Sequence, residues 1–197
     1  MNSERRRQPS PNSSNASSKQ WIVPGSTANP AKVGAMSFMP DSRLFRETVG
    51  HYASGITVIA GISEGQPVGF TCQSFHSLSL EPPLVSFSVM HSSTSWPKIR
   101  SAGTFSVNIL ASGQREISNA FARSGGDKWQ GVAWSGTTSG NPAIEGSLAW
   151  VDCTLYEEHL AGDHRFVIGL VNDMSAAQSD KDQQPLIFFK GRYIEPA

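Results

Sequence analysis

Five side chains able to hydrogen-bond a phosphorylated ligand, Thr71, Gln73, Ser74, Ser77 and Ser79, fall within residues 67–84 (PVGFTCQSFHSLSLEPPL). They follow an apolar run that reads as a strand, and Pro82-Pro83 then breaks the chain before the next apolar run. Hydroxyls and backbone N–H groups at a strand end can bind a phosphate and a polyol chain without any full positive charge. Flavin mononucleotide carries that combination together with a flat ring. Ser and Thr also simply populate turns, and on composition alone the turn reading comes first. Other arrangements of catalytic residues are missing from the sequence. There is no G-x-S-x-G elbow, no H-E-x-x-H helix, no G-x-x-x-x-G-K-[ST] loop and no G-x-G-x-x-G after a strand. His51, His76, His91, His159 and His164 are scattered without a ligand pair. Hydrolase and metalloenzyme chemistry are therefore disfavoured, although triads assemble in space.

The elements that must position these residues are mostly strands. Asp41 or Ser42 caps a helix whose apolar residues, Leu44, Phe45, Val49 and Tyr52, fall on one side, with Gly55 ending it. Residues 56–62 and 68–72 read as a hairpin turning at Glu64-Gly65-Gln66. Residues 84–90 and 104–110 read as strands and 96–102 and 115–122 as short helices, the first with Pro97 in its opening turn. Residues 124–146 are rich in Gly and Ser and read mostly as loop. Long strands over 148–159 and 165–174 join at Ala161-Gly162-Asp163, and 185–189 begins a last strand. The fold class is mainly β, an antiparallel barrel or sandwich with a few covering helices. A doubly wound nucleotide fold would need helices between successive strands.

Of the 197 residues 38% are apolar, which suits one domain. Cys72 and Cys153 each lie in an apolar stretch, as buried unpaired thiols do, and neither has a Cys or His at zinc-ligand spacing. Trp96, Trp129, Trp134 and Trp150 read as packing residues. Residues 1–40 form a Ser-, Asn- and Pro-rich leader, expected to be largely disordered, ahead of a domain over 41–197. Met36 and Met39 are alternative start sites. The leader holds Arg5, Arg6, Arg7, Lys19 and Lys32 against Glu4 alone, so it carries +4 and the body −4. Its bases are scattered, and neither nucleic acid nor a membrane is expected as partner. No apolar run approaches the roughly 20 residues of a membrane span, and no signal-peptide core follows Arg5-Arg6-Arg7, so a cytoplasmic protein is expected.

Four blocks in order carry a family resemblance: residues 45–57 (FRETVGHYASGIT), 69–87 (GFTCQSF-x-SLSLEPPLVSF), 162–169 (GDHRFVIG) and 185–193 (PLIFFKGRY). Together they resemble the short-chain flavin reductases, which have the FMN-binding split-barrel fold. Residues 95–110 and 145–154 (EGSLAWVDCT) look closest to reductases serving aromatic-ring and steroid-phenol hydroxylases. The resemblance implies an NAD(P)H-dependent flavin reductase, the reductase component of a two-component monooxygenase. Its cofactors would be FMN or FAD with NADH, NADPH being possible, and its partners a flavin-dependent oxygenase and a second copy in a homodimer. It also implies roles. Pro67, Val68, Gly69, Phe70 and Thr71 would run along the flavin, Gln73 and Ser74 would meet the ring edge and ribityl chain, and Ser88, Val89 and Met90 the ring's other side. Thr94 and Ser95 would bind phosphate, approached by Ala120 and Phe121. His164, in the turn with Gly162 and Asp163, would sit beside the nicotinamide as the catalytic residue, with Arg192 and Tyr193 closing the pocket. No metal is implied. Phe189 departs from the His or Tyr common at its place in the family.

Hydride transfer between nicotinamide and flavin needs no strong acid, base or nucleophile, which agrees with the missing constellations. Hydroxyls around the phosphate, rather than a cluster of Arg and Lys, would give the moderate affinity of a shuttle. Two alternatives stay open: a split-barrel flavoprotein oxidase or reductase acting directly on an organic substrate, and a non-enzymatic flavin- or haem-binding module.

Overall fold

The computed structural model describes residues 41–175 and 183–194. The leader with its basic residues, and Met36 and Met39, lie outside the described residues. Helix α1 (Ser42–Val49) begins where the Asp41 carboxylate accepts the Arg43 N–H at 3.1 Å. It stops at Gly50, earlier than the predicted Gly55, because Gly55 belongs to strand β1 (Ser54–Gly55), paired with β11 (Ile187–Phe189). Leu44, Phe45, Val49 and Tyr52 are all exposed.

Strands β2 (Thr57–Ser63) and β3 (Gln66–Cys72) form the expected hairpin. Its turn is Glu64-Gly65 alone, both at positive φ, so Gln66 pairs with Ser63 rather than turning. Strands β4 (His76–Leu80) and β5 (Pro83–Met90) follow, then helix α2 (Trp96–Ala102), β6 (Thr104–Ile109), helix α3 (Arg115–Ala122), and the short β7 (Trp134–Gly136) and β8 (Pro142–Ile144). The long β9 (Ala149–Ala161) and β10 (His164–Met174) come next, and β12 (Arg192–Ile194) returns along β11. Both later helices have the predicted bounds. Strand β4 and the β7–β8 hairpin correct the sequence reading, which took the first as a polar segment and the second as loop. Polar groups hold that hairpin. The Ile144 N–H donates to Asn108 Oδ1 at 2.8 Å, Ser106 Oγ donates to the Pro142 carbonyl, and Asp152 accepts from Asn141 Nδ2 and the Ser139 N–H.

The main sheet has seven antiparallel strands in the order β3-β2-β6-β9-β10-β5-β4. Its edges, β3 and β4, are consecutive in the chain but share no ladder, so the sheet curls into a barrel left open along one seam. This is a split barrel. At the seam the Ser74 hydroxyl accepts from the Ser88 N–H at 2.8 Å and donates to the Ser88 carbonyl at 3.1 Å. A side chain does there what backbone does elsewhere.

Strand β2 is buried on both faces. Ile59 joins Phe87, Trp96, Phe105, Val107 and Val167 in one cluster. Val58 and Ala60 join Leu110, Phe121, Ile144 and Leu186 in the other. Phe87 meets Trp96 and Phe105 edge-on at 5.4 and 5.5 Å between ring centroids, a favoured aromatic geometry. Cys72 and Cys153 are free and buried. Burial pushes the Cys153 thiol up to about 12, with Asp152 adding to the effect, and raises Cys72 as well. Gly169 marks a register shift between β9 and β10, and a Cβ there would lie 2.5 Å from Phe105 Cζ and 3.2 Å from Cys153 Cβ. Gly169→Ala therefore overpacks the barrel. Thermal and urea melts should show a loss of about 1–3 kcal/mol with the far-ultraviolet spectrum retained.

Candidate active site

The open seam is lined by a cavity of about 490 Å³. Its walls come from the end of β3 and the residues after it, the end of β5, the loop before α2, the C-terminal end of α3, Lys128 and His164. Each wall is held by a specific contact. A Cβ on Gly69 would come within 2.8 Å of Phe121 Cε1 and 3.0 Å of the Ile59 carbonyl, so glycine is what lets α3 lie on β3. Thr71 Oγ1 donates to the Ser118 carbonyl at 2.6 Å and fastens the same helix. Ser95 Oγ donates to the Gly69 carbonyl at 3.0 Å, drawing the loop before α2 against β3.

Of the predicted site residues, Phe70, Thr71, Gln73, Ser74, Ser88, Val89, Met90, Thr94, Ser95, Phe121 and His164 line this one cavity. They come from five separate parts of the chain. Ser74 spends its hydroxyl on Ser88 and so spaces the seam. Pro67, Val68 and Gly69 border a second, smaller cavity of about 200 Å³, which shares Thr94, Ser95 and Lys128 with the first. Ser77 and Ser79, singled out in the sequence, sit on the edge strand β4 and line neither cavity. Ala120 does not line the main cavity; its neighbours Phe121 and Ala122 do. Arg192 and Tyr193, expected to close the pocket, lie elsewhere in the chain described. The Tyr193 hydroxyl bonds Ser118 Oγ at 2.8 Å and donates to Asn119 Oδ1 at 3.1 Å, while Arg115 lies over its ring, which holds Tyr193 behind α3.

His164 opens β10 directly opposite Met90 of β5. Its Nδ1 lies 2.6 Å from Asp163 Oδ1. Hydrogen bonding and charge from His164 hold the Asp163 carboxyl below its ordinary range. An ionised carboxylate only accepts, so Nδ1 carries the proton and the ring is oriented through that bond. Gly162, at φ +61°, makes the turn that places Asp163 beside it.

In the cationic part of the lining the structure corrects the sequence reading. Arg123 and Lys128 line the wall that was expected to hold hydroxyls without cations, and Lys98 lines the smaller cavity. Lys128 Nζ donates to the Gly69 and Phe121 carbonyls at 3.4 and 3.3 Å. Burial lowers its pKa below the ordinary lysine value. These cations lie on α2, on the residue capping α3 and in a Gly-rich loop, with no local spacing to relate them. Ser92 and Ser93 were also missed as lining residues.

Glu158 on β9 ties together the segments that carry Ser95 and His164. Its carboxylate accepts from Trp96 Nε1 at 2.7 Å, Arg100 Nε at 2.8 Å and Arg165 Nη1 at 3.3 Å. Trp96 follows Ser95, and Arg165 follows His164. Burial alone would raise this carboxyl, but the Trp96 bond and the two arginines outweigh it and hold the pKa below the ordinary value.

An antiparallel split barrel whose seam cavity is lined by hydroxyls, two cations and an oriented imidazole has the build of a nucleotide-cofactor-binding protein. The chain belongs to the flavin reductase like domain family, whose model matches residues 49–196. It is 45% identical over 163 residues to the reductase subunit HsaB of a flavin-dependent monooxygenase from Mycobacterium tuberculosis, covering 82% of this chain and 87% of that one. It is 33% identical over 154 residues to an NADH:FMN oxidoreductase of Rhodococcus erythropolis, covering 77% and 80%. The crystal structure of nitrilotriacetate monooxygenase component B from Mycobacterium thermoresistibile superposes with a TM-score of 0.75 at 43% identity, covering 77% and 84%.

The Glu158 contacts have a pH signature. A folded-state pKa below the unfolded one, about 4.3 for Glu, contributes stability above that pH and loses it as the pH falls through the folded value. Glu158→Gln should therefore cost about 1–2 kcal/mol at pH 7, and urea melts should show the deficit shrinking as the pH falls below the unfolded-state value.

Proposed function

We propose that the chain is the NADH-dependent reductase component of a two-component flavin-dependent monooxygenase, reducing FMN or FAD and releasing it to a separate oxygenase. The observation that carries this reading is one cavity at the barrel seam lined together by hydroxyls, by the cations Arg123 and Lys128 and by His164. The residues fit a flavin nucleotide. Lys128 is a partly desolvated cation with only carbonyls as partners, suited to a phosphate, and Thr94 and Gln73 make no hydrogen bond within the protein among the described residues. When bound, flavin and reduced nicotinamide supply the hydride chemistry themselves.

The chain's own residues bind and orient. Thr94, Ser95, Arg123 and Lys128 hold the phosphate end, and Gln73 meets the polyol or the ring edge. Phe70, Val89 and Met90 give the flat ring an apolar wall. His164, fixed by Asp163, orders the nicotinamide beside it, which brings the reacting atoms into register. The cations replace the earlier reason for moderate affinity. Exchange of flavin is instead favoured by the exposure of Gln73, Met90, Ser92 and Thr94 at the cavity rim.

A flavin-dependent oxygenase as partner is supported by the name of the Mycobacterium tuberculosis relative, the reductase subunit of such a monooxygenase, and an aromatic or steroid-derived phenol as that oxygenase's substrate is inferred from the resemblance of residues 95–110 and 145–154 alone. A homodimer is supported by the exposed apolar side of α1, since such a stripe calls for cover. No helix among the described residues is long and apolar enough to cross a membrane, and a cytoplasmic location is part of this proposal. Purified protein should oxidise NADH when FMN or FAD is added. His164→Ala should raise the KM for NADH by roughly tenfold while the flavin Kd stays within about twofold. The reverse pattern would remove His164 from this role, and no NADH oxidation with any flavin would sink the reading.

A further inference from the structure

Tyr193 lines neither cavity beside β3, yet its hydroxyl is tied through helix α3 to the wall of the larger one. We propose that Tyr193 is a positioning residue for the flavin phosphate: its bond to Ser118 sets the rotation of α3 and thereby places Arg123 at the cavity. The inference rests on the flavin reading above. It gives Tyr193 a different role from the nicotinamide contact that the family resemblance implies.

Three observations carry it. The first is the buried face of α3, which consists of Ser118 and Phe121. An apolar contact such as Phe121 on Gly69 has little directionality, whereas a buried hydroxyl must meet a partner at a set distance and angle. Ser118 Oγ meets the Tyr193 hydroxyl at 2.8 Å, and that hydroxyl donates onward to Asn119 Oδ1 at 3.1 Å. Having one proton to give, it accepts from Ser118. The second is that Ser118 is gripped twice. Its carbonyl accepts from Thr71 Oγ1 of β3 at 2.6 Å, and its hydroxyl is held from β12. A helix of 8 residues does not persist alone, so tertiary bonds of this kind fix where α3 lies. Arg115 lies 5.3 Å from the centre of the Tyr193 ring, and Phe188 meets that ring edge-on at 5.3 Å, which holds the hydroxyl in one place. The third is Arg123 itself. It caps α3 in an extended conformation, with φ −83° and ψ 153°. Its guanidinium makes no ion pair among the described residues and lines the cavity. Where that charge sits therefore depends on where the helix ends.

Tyr193→Phe keeps the ring, its packing and the Arg115 contact and removes only the hydroxyl. The test is calorimetric titration of the full chain and this variant with FMN, FAD and riboflavin, beside steady-state NADH oxidation, folding being checked by circular dichroism. Riboflavin lacks the phosphate. The Kd of FMN and FAD should rise about fivefold, while the riboflavin Kd and the KM for NADH stay within about twofold. Ser118→Ala removes the same bond from the helix side and should weaken FMN by a similar factor, and the double variant should bind no worse than either single one. Equal weakening of FMN and riboflavin would make Tyr193 a general support of the fold and overturn the proposal, as would additive losses in the double variant. A raised KM for NADH with flavin binding intact would return Tyr193 to the nicotinamide and overturn it too. Wild-type protein that binds none of the three flavins would bring down the flavin reading and this inference with it. FMN binding indifferent to the Tyr193 hydroxyl would sink this inference alone.

Discussion

The structure depends on a seam that does not zip. Strand β3 pairs with β2 on one side only, so its other side offers backbone groups with no ladder partner. Edge strands of this kind must be covered or closed. Ser74 spans the gap to Ser88 with two hydrogen bonds, which sets the spacing without closing the barrel. The Gly69 carbonyl, free on the seam side, recruits Ser95 and Lys128 instead of a neighbouring strand. The cavity is therefore what remains of an unclosed sheet, and its polar lining is partly the set of groups that answer the unpaired edge.

From that constraint the division of labour follows. Donors gather at the Gly69 carbonyl because β3 lacks a partner there. Another part of the lining is set by the turn between β9 and β10, where Gly162 and Asp163 hold His164 opposite Met90. Glu158 links them through Trp96 and Arg165, so the loop before α2 and the strand that carries the imidazole are both tied to the long hairpin. Such a site positions and orients. It has no need of an activated nucleophile, in keeping with two cysteines whose thiols burial keeps protonated.

Much of this was legible along the chain because it is local. The strand periods of β2, β3, β5 and β6, the helix bounds of α2 and α3 and the turn at Gly162 follow from patterns a few residues long. What failed was non-local. Strand β4 reads in sequence as a polar cradle, because its Ser77 and Ser79 alternate with leucines that face outward at the barrel edge. The β7–β8 hairpin has little periodicity of its own and is held by Asn108, Ser106 and Asp152 from strands distant in sequence.

The residues by themselves determined the class of fold, the seam segment around Thr71–Cys72-Gln73-Ser74 and the histidine turn, since family blocks and short-range periodicity both reside in the linear order. Only the tertiary structure decided which polar groups share a cavity. It moved Ser77, Ser79, Arg192 and Tyr193 away from the cavity and brought in Arg123 and Lys128, with Lys98 beside it. Side-chain position at a barrel seam is set by which strand edge is left unpaired, and that is a property of the whole sheet rather than of any stretch of it.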